Sequence, residues 1–382
     1  MNELTFVVYT ACCVLAMAAQ LAFALREWRS LGQREPMVVD HTYVRVERYF
    51  GLAFRDKLER WLWLRSRAHG RDVVVIRKDR EEIWVHRSLT MAPDAIVDTL
   101  VVADSLETGQ GCRLLREVYT RHDCRIGARN VVQALAADGT AHIGPETHIV
   151  RWVDAAGPLV VERGCTVSGR ATSAAQVVLH AGARVRSVHA PQILTTNGSR
   201  DGHRAPEVDA PTTWMVLNGA DDGWAAVDAS GKRRRISADC MAYDGDLILP
   251  TVVIQSSLVV HGNLIVGPHS VLERDVKVTG SLRIGKGSIC RGNLVAGHDV
   301  HLASGVTFSG VIFAEGSIRL SSAVSGIRPD PGVAVYAAGT VVLEPDVTIQ
   351  GKVSSGAAVV VDNTGSDLPR SPTPKHHTRS FV

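Results

Sequence analysis

Three histidines and four aspartates carry most of the chemistry this chain could offer, and their spacing decides what that chemistry is. His142, His298 and His301 are the right residue type for the general base of an acyl transfer or for a zinc site, because a neutral imidazole accepts a proton near neutral pH and ligates metals. Only His298 and His301 lie close together, and none has an evident orienting carboxylate, so each position favours a solvent-facing histidine. Asp244, Asp246, Asp275 and Asp299 would suit a polysaccharide lyase if they shared one face, but their spacing scatters them over separate corners. No nucleophile elbow, phosphate loop or Ser/His/Asp arrangement is present in the sequence. Seven cysteines include no CxxC pair, and Cys112, Cys165 and Cys290 fall where buried thiols are expected. The expectation is a non-enzyme with no catalytic residue, no cofactor and no metal ligand.

The elements that must position these residues follow from a six-residue beat over residues 244–361, grouped into windings of about 18 residues. Written as stacked lines, 261–278, 279–296 and 297–314 place Leu264, Leu282 and Val300 in one column and Val266, Ile284 and Leu302 in another. Leu272, Cys290 and Phe308 form a third, and Val276, Leu294 and Ile312 a fourth. Apolar residues come two apart and then four apart, as short inward-facing strands joined by corners would require. One winding cannot bury its own face, so windings must stack as a β-solenoid. The same ruler places Ala141, Leu159 and Val177 in one column and Ile149, Val167 and Val185 in another. Glycines recur at fixed places in the winding (Gly245, Gly262, Gly280; Gly292, Gly310, Gly351), which predicts corners with positive φ. Apolar residues make up 45% of the chain and aromatics only 5%, which fits a core of Val, Ile, Leu and Ala.

The fold class expected is all-β, a parallel β-solenoid preceded by one transmembrane helix. Residues 4–25 contain no charged side chain and as a helix would cover about 33 Å, enough for a hydrocarbon core. Ala22-Phe23-Ala24 resembles a signal-peptide cleavage site, but no lysine or arginine precedes the run and its length exceeds the usual apolar region of a leader. Arg26, Arg29 and Arg34 follow at once, which places the body in the cytoplasm. The expected organisation is an anchor at 1–27, a juxtamembrane linker and helix at 28–84, a first solenoid block at 85–192, an insert with short strands at 193–243, a second block at 244–363 and a proline-bearing disordered tail at 364–382. In the helical stretch, Trp61 and Trp63 suit the headgroup level of a membrane, or the helix caps the first winding. Lys232, Arg233, Arg234 and Arg235 form a basic run suited to lipid phosphate or an acidic partner. The net charge of +3 is too small to argue for nucleic acid.

The motifs GDLILP (245–250), GNLIVG (262–267), GSLRIGKGSICRGNLVAG (280–297) and TIQGKV (348–353) resemble those of the bactofilins, bacterial polymer-forming cytoskeletal proteins. The resemblance covers about a third of the chain and implies a right-handed solenoid, nucleotide-independent self-assembly and association with the bacterial inner membrane. A left-handed β-helix acyltransferase is the enzymatic alternative, since Val266-Gly267 with Ser270 and Ile284-Gly285 with Ser288 fit its hexapeptide habit. Large residues such as Leu264 and Leu282 occupy the places where that pattern needs small ones. A monomeric membrane-bound adaptor is the other alternative. The expected partners are other copies of the chain, the membrane and protein clients. The last winding ends near Val361 with a polar tail behind it, so Ala358 and Val360 are expected to form an open, self-associating end, with Val360 pointing into the column above Leu343.

Overall fold

The computed structural model describes residues 46–65, 73–78, 81–196, 215–217, 232–237, 239–328 and 332–362. The expected span at 4–25, Arg26, Arg29, Arg34 and the tail from 364 lie outside the described residues, and among those described no helix is long and apolar enough to cross a membrane. The described residues from Glu47 onward form one compact unit.

That unit is an all-β solenoid of about 13 windings, each of about 18 residues. A representative winding has three short strands, Leu264–Val266, Val271–Leu272 and Val276–Val278, after which Leu282–Ile284 stacks in parallel on the first. Alternation within each strand sends every second side chain inward, where the stacked residues form columns. Leu247, Leu264, Leu282, Val300, Ile318, Val341 and Val359 are paired in register from winding to winding. So are Ile254, Leu272, Cys290, Phe308, Gly326 and Ile349. The expected columns of the first block hold as well, with Ala141, Leu159 and Val177 in one and Ile149, Val167 and Val185 in the other.

One expectation about local structure is corrected. Positive φ falls once per winding at a different corner from the one the glycine pattern suggested, at His269, Gly287, Gly305, Ala323 and Asp346. Of the recurrent glycines, Gly245 and Gly351 have positive φ, whereas Gly280 is needed for space, since a Cβ there would lie 2.7 Å from the Gly262 carbonyl oxygen. Ser270 and Ser288, the residues that suggested a hexapeptide enzyme, form a buried hydroxyl ladder. Ser270 Oγ accepts the Val252 amide at 3.0 Å, and Ser288 Oγ accepts the Ser270 amide at 3.1 Å. The expected insert is described only in two strands. Its described strands, Met215–Leu217 and Lys232–Ser237, pair with 252–254 and 240–244 and extend the outer end of the second block.

The largest departure is at the other end of that block. Thr348–Val361 pairs antiparallel with Arg184–Thr196, the last strand of the first block, so the two blocks meet C-terminal winding to C-terminal winding. Turning one solenoid end over end reverses its strand direction, which is why two internally parallel blocks join through an antiparallel ladder. Val359 faces Val185, Val353 faces Val188 and Ile349 faces Ile193, so all three core columns run through the junction. The end expected to be open is therefore closed within the chain. Val359 and Val361 point inward and are buried. Val360 is an outward residue paired with Arg184 and Val342, and Ala358 is half-buried beside it.

Candidate functional site

Outward columns distinguish one face of the first block from the rest of the molecule. Val85, Val102, Tyr119, Ala136, Asp154, Thr172 and His189 succeed one another along it, each paired with the next. The strands that carry them lose the usual alternation: Trp152–Ala155 is buried at all four positions. A strand buried on both faces needs a cover, and helix α1 (Tyr49–Arg65) provides it. Its residues Phe54 and Leu58, one turn apart, pack with Ile83, Leu100 and Trp152. Phe54 and Trp152 meet edge to face at 5.7 Å. The helix thus lies along the side of the solenoid and does not cap its first winding. That winding is instead edged by Val73–Lys78, antiparallel to Glu81–His86.

Asp154 fastens the helix. It is 1% exposed and receives both ends of the Arg48 fork, at 2.8 and 2.9 Å, a bidentate geometry that strengthens and orients the pair. Arg55 donates to the same carboxylate and to Asp138 Oδ1, the latter at 2.6 Å. Thr172 Oγ1 donates to Asp154 at 2.6 Å, and the Tyr119 hydroxyl donates to Asp138. Burial works against the Arg55 charge, but Asp154 and then Asp138 more than offset it and hold its pKa above the ordinary value. Burial first, and then Asp138, pushes the Tyr119 phenol up. Helix residue Gly51 rests on the Asp154 side chain, where a methyl group would overlap it.

Beside the N-terminus of α1, at the junction of the blocks, lies a cleft of about 380 Å³ lined by Arg151, Arg170, Arg186, Lys352, Ser168 and Ser187, with Phe50 at its edge. The Arg170 guanidinium sits 5.4 Å from the centre of the Phe50 ring. Lys352 donates to Glu47 at 2.8 Å and Arg151 to Glu117 at 3.2 Å. Arg186 is exposed and makes no ion pair among the described residues.

The residues singled out from sequence are dispersed. Trp61 and Trp63 lie on α1, but their side chains are outside the described residues, as are those of Lys232, Arg233, Arg234 and Arg235, whose backbone forms the outer edge strand of the second block. His142, expected to lack an orienting carboxylate, has Glu162 at 3.1 Å from its Nε2. His301 faces outward but is half-buried, with Nε2 3.1 Å from Ser321 Oγ. Burial chiefly, then Arg283 and Arg319, lowers its pKa. The aspartates serve the corners, where Asp246, Asp275 and Asp299 accept the amides of Asn263, Asn293 and Ser317 at 2.7 to 2.8 Å. Cys290 is buried, and its thiol is pushed up to about 12 by that burial, which leaves little thiolate for chemistry. Among the described residues no group of three His, Cys, Asp or Glu side chains is placed to share a metal ion.

Sequence reading missed Arg48, Arg55, Asp138 and Asp154. A usable signal was present, since LVVA (100–103), ALAA (134–137) and WVDA (152–155) are apolar or buried at consecutive positions where a solvent-facing solenoid strand alternates. Asp154, the one charge inside such a run, marks the point of attachment. Comparison with family models, with curated proteins and with solved structures returns no match to this chain.

Proposed function

We propose that this chain is a non-enzymatic structural scaffold of the bactofilin type, with a right-handed solenoid, anchored by residues 4–25 in the bacterial inner membrane with its body in the cytoplasm, where it self-associates and holds client proteins. The observation that carries this reading is the junction itself. Two solenoid ends of this sequence already join through a backbone ladder and continuous core columns, which is the kind of contact a solenoid polymer repeats between chains.

Because that junction pairs Val360 with Arg184 within the chain, the solenoid ends left for assembly among the described residues are the two outer ones, edged by Val73–Lys78 and Lys232–Ser237. Ile236 is 53% exposed on the second of these edges, an apolar side chain on a strand whose partner among the described residues is Cys240–Asp244. The test is electron microscopy and light scattering of the full chain in neutral detergent. The scaffold reading expects particles larger than a monomer for the wild type and smaller ones for Ile236→Asp with unchanged circular dichroism. A wild type that stays monomeric at every concentration sinks self-assembly and favours the monomeric adaptor.

A further inference from the structure

We propose that the cleft at the junction of the two blocks is a binding site for a small phosphate-bearing anion. The inference is independent of whether the chain self-assembles. Four cationic side chains, Arg151, Arg170, Arg186 and Lys352, converge on one concave surface contributed by both blocks. Arg151 is paired with Glu117 and Lys352 with Glu47, whereas Arg186 makes no ion pair among the described residues, so the surface keeps an unneutralised positive charge there. Like charges gathered on one surface repel, and an anion between them removes that cost.

The backbone is shaped to present these groups. Register shifts occur at the same corner in successive windings, between Val167 and Arg170 within the first block and between Val185 and Ser187 in the junction ladder. The residues in those bulges, Ser168, Gly169 and Arg186, all line the cleft. A bulge turns side chains out of the regular alternation and is a recurrent device for aiming them at a ligand. Phe50 holds the Arg170 guanidinium over its ring, which limits the freedom that guanidinium would otherwise lose on binding. Arginine forks together with serine hydroxyls match a group that offers several oxygens in a tetrahedral array, and the match is better for phosphoryl than for carboxylate. A volume of about 380 Å³ lies at the small end of ligand pockets, suited to a pyrophosphate, a sugar phosphate or a lipid headgroup.

Titration calorimetry of the full chain in dodecyl maltoside, first with inorganic pyrophosphate and then with micelles carrying phosphatidylglycerol or phosphatidylcholine, tests the site and identifies the source of the phosphate. Pyrophosphate binding that weakens about tenfold or more in Arg186→Glu and is unchanged in Lys277→Glu supports the site, since losing one charge-assisted hydrogen bond amounts to that factor. Lys277 is an exposed lysine of the second block, well away from the cleft. Binding to phosphatidylglycerol micelles but not to pyrophosphate, with the same dependence on Arg186, assigns the site to a lipid headgroup. Arg186→Gln, which removes the charge without reversing it, should give a smaller loss in the same direction. The proposal is overturned if neither probe binds, or if Lys277→Glu weakens binding as much as Arg186→Glu.

Discussion

The two solenoid blocks have the same interior and different exteriors. Inside, both stack aliphatic side chains in three columns that run through the junction without interruption. Outside, the first block carries Val85, Val102, Tyr119 and Ala136 in a column sealed by a helix. The sheet that continues across the junction carries Lys277, Val295, Phe313 and Tyr336, with no described element packed over them. Phe313 and Tyr336 stack on one another there at 5.4 Å. The lesson is that inward columns specify the solenoid, while outward columns specify what attaches to it. The same backbone can therefore serve as a sealed support in one half and an open face in the other.

The sharpest way to break this comparison is at the place where the blocks meet. Val359→Arg puts a charge where the Val341 column passes to Val185. It should cost about 5 kcal/mol or more, since an uncompensated buried charge and an overfilled core add. Val360→Arg, one residue on and pointing outward, should cost no more than about 0.5 kcal/mol. Denaturant melts of the two variants check this, and equal losses would mean that the core columns do not run through the junction.

Next in size are one change for each block. Asp154→Ala leaves Arg48 and Arg55, 18% and 13% exposed, without the carboxylate they share, and breaking such a buried set costs about 3–5 kcal/mol. Limited proteolysis should then cut within Tyr49–Arg65 before it cuts the solenoid. Phe308→Ala in the second block should cost about 3–5 kcal/mol as a large-to-small core change. Its ring fills the space left by Gly326 in the next winding. Hydrogen exchange, read separately over each block, distinguishes the two. Uniform loss of protection over both blocks in either variant would show a single cooperative unit.

How much of this is legible in the sequence follows from what repeats. Leu264, Leu282 and Val300 recur at a fixed interval, so spacing alone is enough to write their column down. Which solenoid end faces which is not legible, because Thr348–Val361 and Arg184–Thr196 are ordinary strands of their own blocks and nothing in their residues states an antiparallel partner. The inward expectation for Val360 fails by one residue: the 18-residue step carries Val341 to Val359 and Leu343 to Val361, and a slip of one exchanges the two faces of a strand. The clasp around Asp154 is hidden by distance, since Arg48 lies 106 residues from its partner. The cleft is hidden because its bulges interrupt the period on which the windings are read.

A smaller effect is expected from pH, and it should fall unequally on the two blocks. Burial lowers the pKa of His86 and His189 in the first block and of His301 in the second. Each of these groups binds its proton less readily folded than unfolded. Their contribution to stability is therefore full above the unfolded histidine value of about 6.5 and is lost as pH falls below it. The first block, with two of the three, should lose more. Hydrogen exchange at pH 7.5 and at pH 5.5 measures this, and His189→Gln should blunt the loss in the first block without changing the second. Greater loss in the second block would contradict the assignment.

The smallest effect belongs to an ion pair whose geometry is close to that of the clasp. Arg291 donates to both oxygens of Glu273, at 2.8 and 2.6 Å, a bidentate geometry similar to that of Arg48 on Asp154. The difference is solvent: Arg291 is 60% exposed and Glu273 30%, whereas Asp154 is 1% exposed. In water the attraction is screened, and two long side chains lose freedom to make it. Arg291→Ala should then cost no more than about 1 kcal/mol, and added salt should erase most of that. Asp154→Ala should keep its larger cost in the same salt, because its partners are shielded by α1 and by the sheet. If both variants lost comparable stability, or if salt removed both effects alike, the helix would be held by its apolar face alone, and the buried charge would owe its place to positioning α1 and not to holding it down.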